Sequence, residues 1–509
     1  MRKERIGGLK SFIGMLAIGA VMTVLPAEAL EIKLVPSDAQ AGDLTGGGLA
    51  ISGDVAAIGT HSGAPSGAVY VFKYDGARWN ETQKITASEG QPRDAYGGEI
   101  HISATGETMI VSAHNDDGSS GHPEMPPYPG VGAAYIYRLD PVTGMYEEEA
   151  KLTGDYTKAY FGNTAVSIQD DVAAVGATGH SYSRGRVYIY RFDGAGWNRV
   201  QDFVHAGARD YDYFGASVSI FGDDMVVGCS GENATARNSG SAYAYHYNPG
   251  TSSWELVREL TPSDGAREQY YGRSVSMGAG VLAVGTAVLP ADGVNPNGAL
   301  YIFRFDGATW VEEQKITSSD GAAGDQFGRW VSLVGDKVIA GAEHSNDHTG
   351  AAYIYEFDGA SWGNEEKLTA SDGQPGDYFG ARVAINQAGI PIVGAAYSGG
   401  AVGAAYIYVA DTPEILIEDA IEAVAELPAA SVTTAGNQTA LGNLLDQSFK
   451  LIERGDTGML ERAIARTDGC ALRGAPDTKG LGRDWITDCA AQLELYSLLT
   501  QALAGAQSQ

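Results

Sequence analysis

Residues 160–203 read YFGNTAVSIQDDVAAVGATGHSYSRGRVYIYRFDGAGWNRVQDF, and this stretch decides the fold. It divides into four short β-runs, YFGNTAVSI, QDDVAAVGA, RVYIYRF and GWNRVQDF, separated by turn signals. YIYR alternates as a half-buried strand does. The Asp-Gly of FDG favours a tight hairpin between the third and fourth runs, because Gly accepts positive φ. Four strands joined in this way form an antiparallel meander.

The opening phrase recurs seven times, as DLTGGGLAI (43–51), DAYGGEIHI (94–102), AYFGNTAVSI (159–168), DYFGASVSI (212–220), QYYGRSVSM (269–277), DQFGRWVSL (325–333) and DYFGARVAI (377–385). Its glycines, Gly46, Gly97, Gly162, Gly215, Gly272, Gly328 and Gly380, lie 51 to 65 residues apart. A period of this length, built of four strands, is one blade of a propeller. The first two strands of each period are rich in Gly, Ala, Ser and Val, the third carries Tyr, and the fourth often opens with Trp. Small inner and large outer side chains fit blades that crowd at an axis. The aromatic of the phrase reads as a wedge between blades, and its Gly as a place where backbones approach too closely for a Cβ. The seventh period stops after AAYIYVADTP, while LEIKLVPSDA (30–39) resembles fourth-strand segments such as EEQKITSSDG (312–321). Residues 31–37 are therefore expected to complete the last blade, closing the ring and removing its edges.

The ends of the chain differ from this pattern. Basic MRKERIGGLK precedes SFIGMLAIGAVMTVL and the small residues Ala27 and Ala29. This is the order of a secretory signal peptide (1–29) cleaved near Ala29, which predicts a secreted or periplasmic protein. The apolar run is shorter than the ~20 residues of a membrane span, and no span is expected in the mature chain. A formal charge of −29 repels nucleic acid and anionic lipid. After Pro413, Tyr and Gly give way to Ala, Leu and Glu, and helix caps bracket apolar stripes, predicting a small all-α module over 412–509. Cys470 and Cys489 are expected to form a disulfide there in an oxidising compartment, leaving Cys229 buried in the ring. The RGD at 454–456 is explained by helix capping.

FG-x-x-V-x-I followed by a strand ending in GA (GATG 176–179, GAEH 341–344, GAAY 394–397) resembles the FG-GAP repeat. The resemblance spans about 30–411. It implies an all-β seven-bladed β-propeller of four-stranded antiparallel blades, as in integrin α subunits and many secreted bacterial proteins, with one face engaging partners. Integrin-type repeats carry a DxDxDG-like calcium loop between their first two strands. Here those turns are as short as SGD (52–54) and GD (335–336), too short to wrap six to eight oxygens, so neither calcium of that type nor any other cofactor is expected. NDDGSSGHPE (115–124) is left as a place for a cation such as calcium, not favoured because it lacks the ligand spacing.

The loops between second and third strands vary in length, and uneven loops on a rigid scaffold are the usual seat of function. The longest, 113–132, supplies the candidate ligand-binding residues His114, Asn115, Asp116, Asp117, His122, Glu124 and Tyr128. Catalytic motifs such as GxSxG, HExxH and the P-loop are absent from the sequence. His344 and His348 share a loop rather than a helix, and Asp210 and Asp212 sit at a link where Asp caps turns. The leading reading is a secreted non-catalytic propeller that binds an extracellular protein or glycan at the cell surface. The alternatives are an extracellular hydrolase or lyase acting on polysaccharide or phosphoester, and a structural matrix component. Carboxylates converging on the axis favour an enzyme, and an exposed aromatic patch on the loop face favours binding.

Overall fold

The computed structural model describes residues 4–5, 30–60, 66–76, 78–116, 131–155, 159–287 and 297–409, and parts of 417–502. It contains two compact units, one built on Glu31–Tyr408 and the other containing Val409–Gln509.

The first unit is a ring of seven antiparallel sheets. Blades 1 to 6 span 45–85, 96–153, 161–203, 214–260, 274–316 and 331–368, each with its four strands in chain order from the axis outward. Blade 7 is assembled from Arg382–Ile385, Pro391–Ala395 and Ala404–Val409, with Leu30–Leu34 alongside as its fourth strand. A two-residue strand, Glu4–Arg5, lies at that sheet's edge. Blade 7 meets blade 1 through a bridge between Gly403 and Thr45, so the ring is closed.

The repeated phrase joins neighbours. Phe161, Phe214, Tyr271, Phe327 and Phe379 are fully buried. The backbone N–H of each donates to a carbonyl of the preceding blade, as from Phe327 to Asn297 at 2.7 Å. Each ring meets the third-strand Tyr of its own blade, as in Phe327 on Tyr353 at 5.5 Å and Phe379 on Tyr406 at 5.5 Å. The following Gly lies against a second-strand Gly of the preceding blade, except Gly162, which meets Ser112. A Cβ on Gly285 would stand 1.8 Å from the Gly328 carbonyl oxygen, so no side chain fits. The FDG turn is longer than the expected tight hairpin. Phe192 pairs with Trp197, and Asp193 Oδ1 accepts the N–H groups of Ala195 and Gly196, closing the loop with a side chain instead of a two-residue turn.

Two polar latches recur at the rim. The first joins a link Ser to a fourth-strand Glu, with Ser88 on Glu148, Ser263 on Glu312, Ser319 on Glu365 and Ser371 on Glu31. The second joins a third-strand Tyr, a link Asp and a cation. Tyr353 O–H donates to Asp320 at 2.7 Å, Lys367 Nζ binds the same carboxylate at 2.5 Å, and the ammonium lies 5.4 Å from the Tyr353 ring centroid. Such a cation lies over the equivalent ring in six blades: Lys84 on Tyr70, Lys151 on Tyr135, Arg199 on Tyr188, Lys315 on Tyr301, Lys367 on Tyr353 and Lys33 on Tyr406. The N-terminal strand thus supplies both latch residues of blade 7, Glu31 and Lys33.

Around the axis, Ser167, Ser219, Ser276 and Ser332 each accept an inner-strand N–H of the next blade, at 2.9 to 3.2 Å. His101 Nδ1 does the same for Ile168 at 3.2 Å. Burial drives the His101 pKa from 6.5 down to about 4. The unfolded chain therefore binds a proton on His101 below pH 6.5 that the folded ring refuses until about pH 4, and stability is lost as pH falls through that window. The His101 side chain is only partly buried, so the full loss of about 3 kcal/mol is an upper bound. His101→Ser keeps an acceptor and removes the titration. Urea unfolding at pH 7.5 and 4.5 is expected to show a smaller stability loss in the variant than in the parent.

The second unit contains helices Ala435–Ile452 and Gly458–Ile464. Ile417, Val424, Leu441, Leu445, Leu460, Leu495 and Leu499 form its buried cluster. Among the described residues no helix is long and apolar enough to cross a membrane. Cys470, Cys489 and the RGD tripeptide lie outside the described residues.

Candidate functional site on the loop face

In each blade the link into the first strand and the loop between the second and third strands share one face. A channel of about 540 Å³ runs along the axis, lined by inner strands of every blade. At its mouth on the loop face stand residues from the two positions after the repeated Gly: Glu99, Arg273, Arg329, Trp330 and Arg382. Arg382 Nη2 donates to Glu99 Oε1 at 2.7 Å and its guanidinium stacks 3.5 Å from the Trp330 ring centroid. Arg273 lies 5.1 Å from the same ring. Arg329 binds Glu343, which is buried. Burial, reinforced by Arg329 and Arg382, pulls the Arg273 pKa down to about 10. Burial pushes both Glu99 and Glu343 up, against the opposing guanidinium groups. Each carboxylate at the mouth is thus held by an arginine. Three guanidinium groups face two carboxylates, and Arg329 Nε, Arg382 Nε and Trp330 Nε1 are buried donors that no protein acceptor meets among the described residues. The mouth favours an anionic or acceptor-rich group in a chain of overall charge −29.

Two aromatic clusters lie on the loop face, the second adjoining the mouth through His344, 3.8 Å from Glu343. In the first, Tyr182 (75 % exposed) extends from the 2–3 loop of blade 3 beside Tyr211 (63 %) and Tyr213 (36 %) of the next link. Tyr211 and Tyr213 N–H groups donate to the Tyr182 and Ser183 carbonyls, fixing link to loop. In the second, His344 and His348 of blade 6 lie 4.7 Å apart and meet Tyr378 at 5.6 and 5.1 Å, and Tyr378 meets Tyr397 of blade 7 at 5.2 Å. Desolvation, with His348 alongside, holds the His344 pKa below its usual value.

The loops carrying these rings are strained. Ser181, Tyr182 and Ser183 have φ of 51°, 62° and 63°, and Asn346, Asp347 and His348 have 50°, 55° and 65°. Residues other than Gly, Asn and Asp cost roughly 1–2 kcal/mol each in this region, so the cost falls mainly on Ser181, Tyr182, Ser183 and His348. Blade 7 makes the same turn with Gly399, Gly400 and Ala401, so glycine suffices for the backbone alone.

The residues anticipated in the 113–132 loop divide. Asp116 is buried, accepts the Tyr135 O–H at 3.0 Å and pairs with Lys151 at 2.9 Å, serving as the carboxylate of blade 2's latch. His114 and Asn115 lie beside it, with Asn115 N–H donating to the Asp94 carbonyl. Asp117, His122, Glu124 and Tyr128 lie outside the described residues. The tyrosine clusters and the arginine mouth were not singled out from the sequence. The available signal was the variable residue before each wedge aromatic, which is Tyr in Tyr160, Tyr213, Tyr270 and Tyr378.

A closed ring of seven four-stranded blades around an axial channel is a seven-bladed β-propeller. Six segments, 29–72, 79–137, 197–245, 254–303, 310–355 and 362–408, match the FG-GAP repeat, together more than half of the chain. The chain belongs to the FG-GAP repeat family. Among solved structures it is similar to Sqt1 of Saccharomyces cerevisiae (8 % identity, TM-score 0.42, covering 70 % of this chain and 82 % of that one). It is also similar to a chain of a mitotic checkpoint complex (12 % identity, TM-score 0.46, covering 79 % and 97 %).

Proposed function

We propose that this protein is a secreted, non-catalytic propeller whose loop face binds an extracellular protein or glycan bearing acidic groups. The observation that carries this reading is the pairing of solvent-exposed rings with an axial mouth whose carboxylates are already neutralised by arginine. Aromatic faces stack on sugars or apolar side chains, and guanidinium donors take carboxylate or sulfate. A hydrolase needs carboxylates free to exchange protons, and Glu99 and Glu343 are each held by an arginine. A part in binding is also proposed for the 114–128 loop, on its sequence. The 412–509 region, as a helical module with a Cys470–Cys489 disulfide, serves docking or dimerisation.

The strained turns make this testable. Ser183→Gly removes a left-handed penalty that Ser, unlike Asn or Asp, bears and is expected to stabilise the ring by up to about 1 kcal/mol. Tyr182→Gly is expected to raise stability less, because a ring is lost, and to weaken binding at least tenfold. Surface plasmon resonance against immobilised acidic glycans and extracellular protein extracts, alongside thermal unfolding, checks both. A Tyr182→Gly variant that binds as well as the parent contradicts the assignment.

A further inference from the structure

Blade 4 breaks the rim latch that the other blades share. We propose that His205, Cys229 and Glu232 form a binding site for a single divalent cation of the zinc class, bolting the link between blades 3 and 4 to the 2–3 loop of blade 4. One ligand atom from each of the three lies within 4.8 Å of the others. A tetrahedral zinc ion with bonds of about 2.0–2.3 Å needs ligand separations of roughly 3.3–3.8 Å, a small side-chain adjustment away. Thiolate, imidazole and carboxylate together select zinc over calcium or magnesium, which take oxygen ligands.

The repeat shows what is missing. The residue paired with the third-strand Tyr is Lys84, Lys151, Lys315 or Lys367 in blades 1, 2, 5 and 6. In blade 4 it is Glu259, opposite Tyr243. The link Asp is replaced as well, by Gly207, with His205 entering where blade 5 has Pro262. A latch of acid, Tyr and cation thereby becomes a pocket of Asp212, Glu232, Glu259, Cys229 and Tyr243 around one imidazole.

Hydrogen bonding already orients the imidazole. His205 Nε2 faces Asp212 Oδ2 at 3.3 Å, an arrangement in which Nε2–H donates to the carboxylate and Nδ1 carries the lone pair. Nδ1 lies 3.0 Å from the Tyr243 oxygen and 3.9 Å from Glu232 Oε1. Tyr243 has a single O–H proton and donates it to Glu232 Oε2 at 2.7 Å. Nδ1 and Glu232 Oε1 thus face each other as acceptors, and Cys229 Sγ lies alongside, within the same 4.8 Å. On metal binding the Cys229 thiol, which now donates to the Asp212 carbonyl at 3.3 Å, loses its proton to solvent and sulfur becomes a thiolate ligand. Water completes the coordination.

The test uses the full chain, stripped with EDTA and titrated with Zn²⁺ against a chromophoric chelator, and separately with Co²⁺. The expected result is one equivalent bound per chain, a thiolate-to-cobalt charge-transfer band in the near ultraviolet, and a rise in melting temperature with zinc. Cys229→Ala is expected to abolish the band. Glu259→Lys supplies the cation the other blades carry, and is expected to lose metal binding while melting no lower than the metal-free parent. Failure to bind stoichiometric zinc at micromolar concentration overturns the proposal, as does zinc binding unchanged in both variants.

Discussion

Deleting residues 30–34 is expected to lower the melting temperature by more than about 10 °C or to abolish cooperative unfolding. The strand buries Leu30 and Leu34, each contributing about 2 kcal/mol. It also supplies Glu31, which accepts two hydrogen bonds from Ser371 and one from Tyr408, and Lys33, which binds Asp372. Without it, Ala404–Val409 becomes an unpaired edge, and the buried Tyr406 and Tyr408 are uncovered. The ring then lacks the segment that ties its first residues to its last blade. Differential scanning calorimetry of the deletion against the parent reads this directly. An unchanged melting temperature contradicts the closure.

Gly285→Ala is expected to cost on the order of 3 kcal/mol or more, because the new methyl meets the Gly328 carbonyl oxygen at 1.8 Å and Ser274 Oγ at 2.6 Å. Both obstacles belong to the tightest part of the ring, and the first is backbone, which moves only if blades 5 and 6 separate. Gly363→Ala is the matched control. That glycine has nothing within 4 Å of the added atom, and the substitution is expected to change stability by less than about 0.5 kcal/mol. Urea unfolding of the two variants measures the difference.

The ring was legible in the sequence because each of its structural devices repeats. Gly285 against Gly328 and Phe327 against Tyr353 are devices that blade geometry imposes at most junctions, so their residue types return along the chain, with Ser112 and Thr45 as exceptions. The site was less legible because it consists of exceptions to that period. Arg273, Arg329, Trp330 and Arg382 occupy the variable positions within the repeated phrase, and only ring closure brings blades 2, 5, 6 and 7 to one mouth. Backbone bonds from Tyr211 to Tyr182 and from Tyr213 to Ser183 join loop and link between blades, a proximity that local pattern does not reveal. Asp116 was read as a ligand candidate because its latch partners, Tyr135 and Lys151, lie far along the chain. His205 and Glu259 left a trace, since FVHAGARD departs from the SDG links of other blades, but a single departure does not by itself state a chemistry.

The most direct test of the loop-face assignment is an array of acidic polysaccharides and cell-surface protein extracts, probed with the purified protein and with a Tyr182→Ser, Tyr211→Ser, Tyr397→Ser variant. These three side chains are exposed, so the variant is expected to melt with the parent. The account predicts retention of at least one probe by the parent, at least tenfold weaker retention by the variant, and no release of shortened product. Equal retention by both proteins, or product release by the parent, would contradict it.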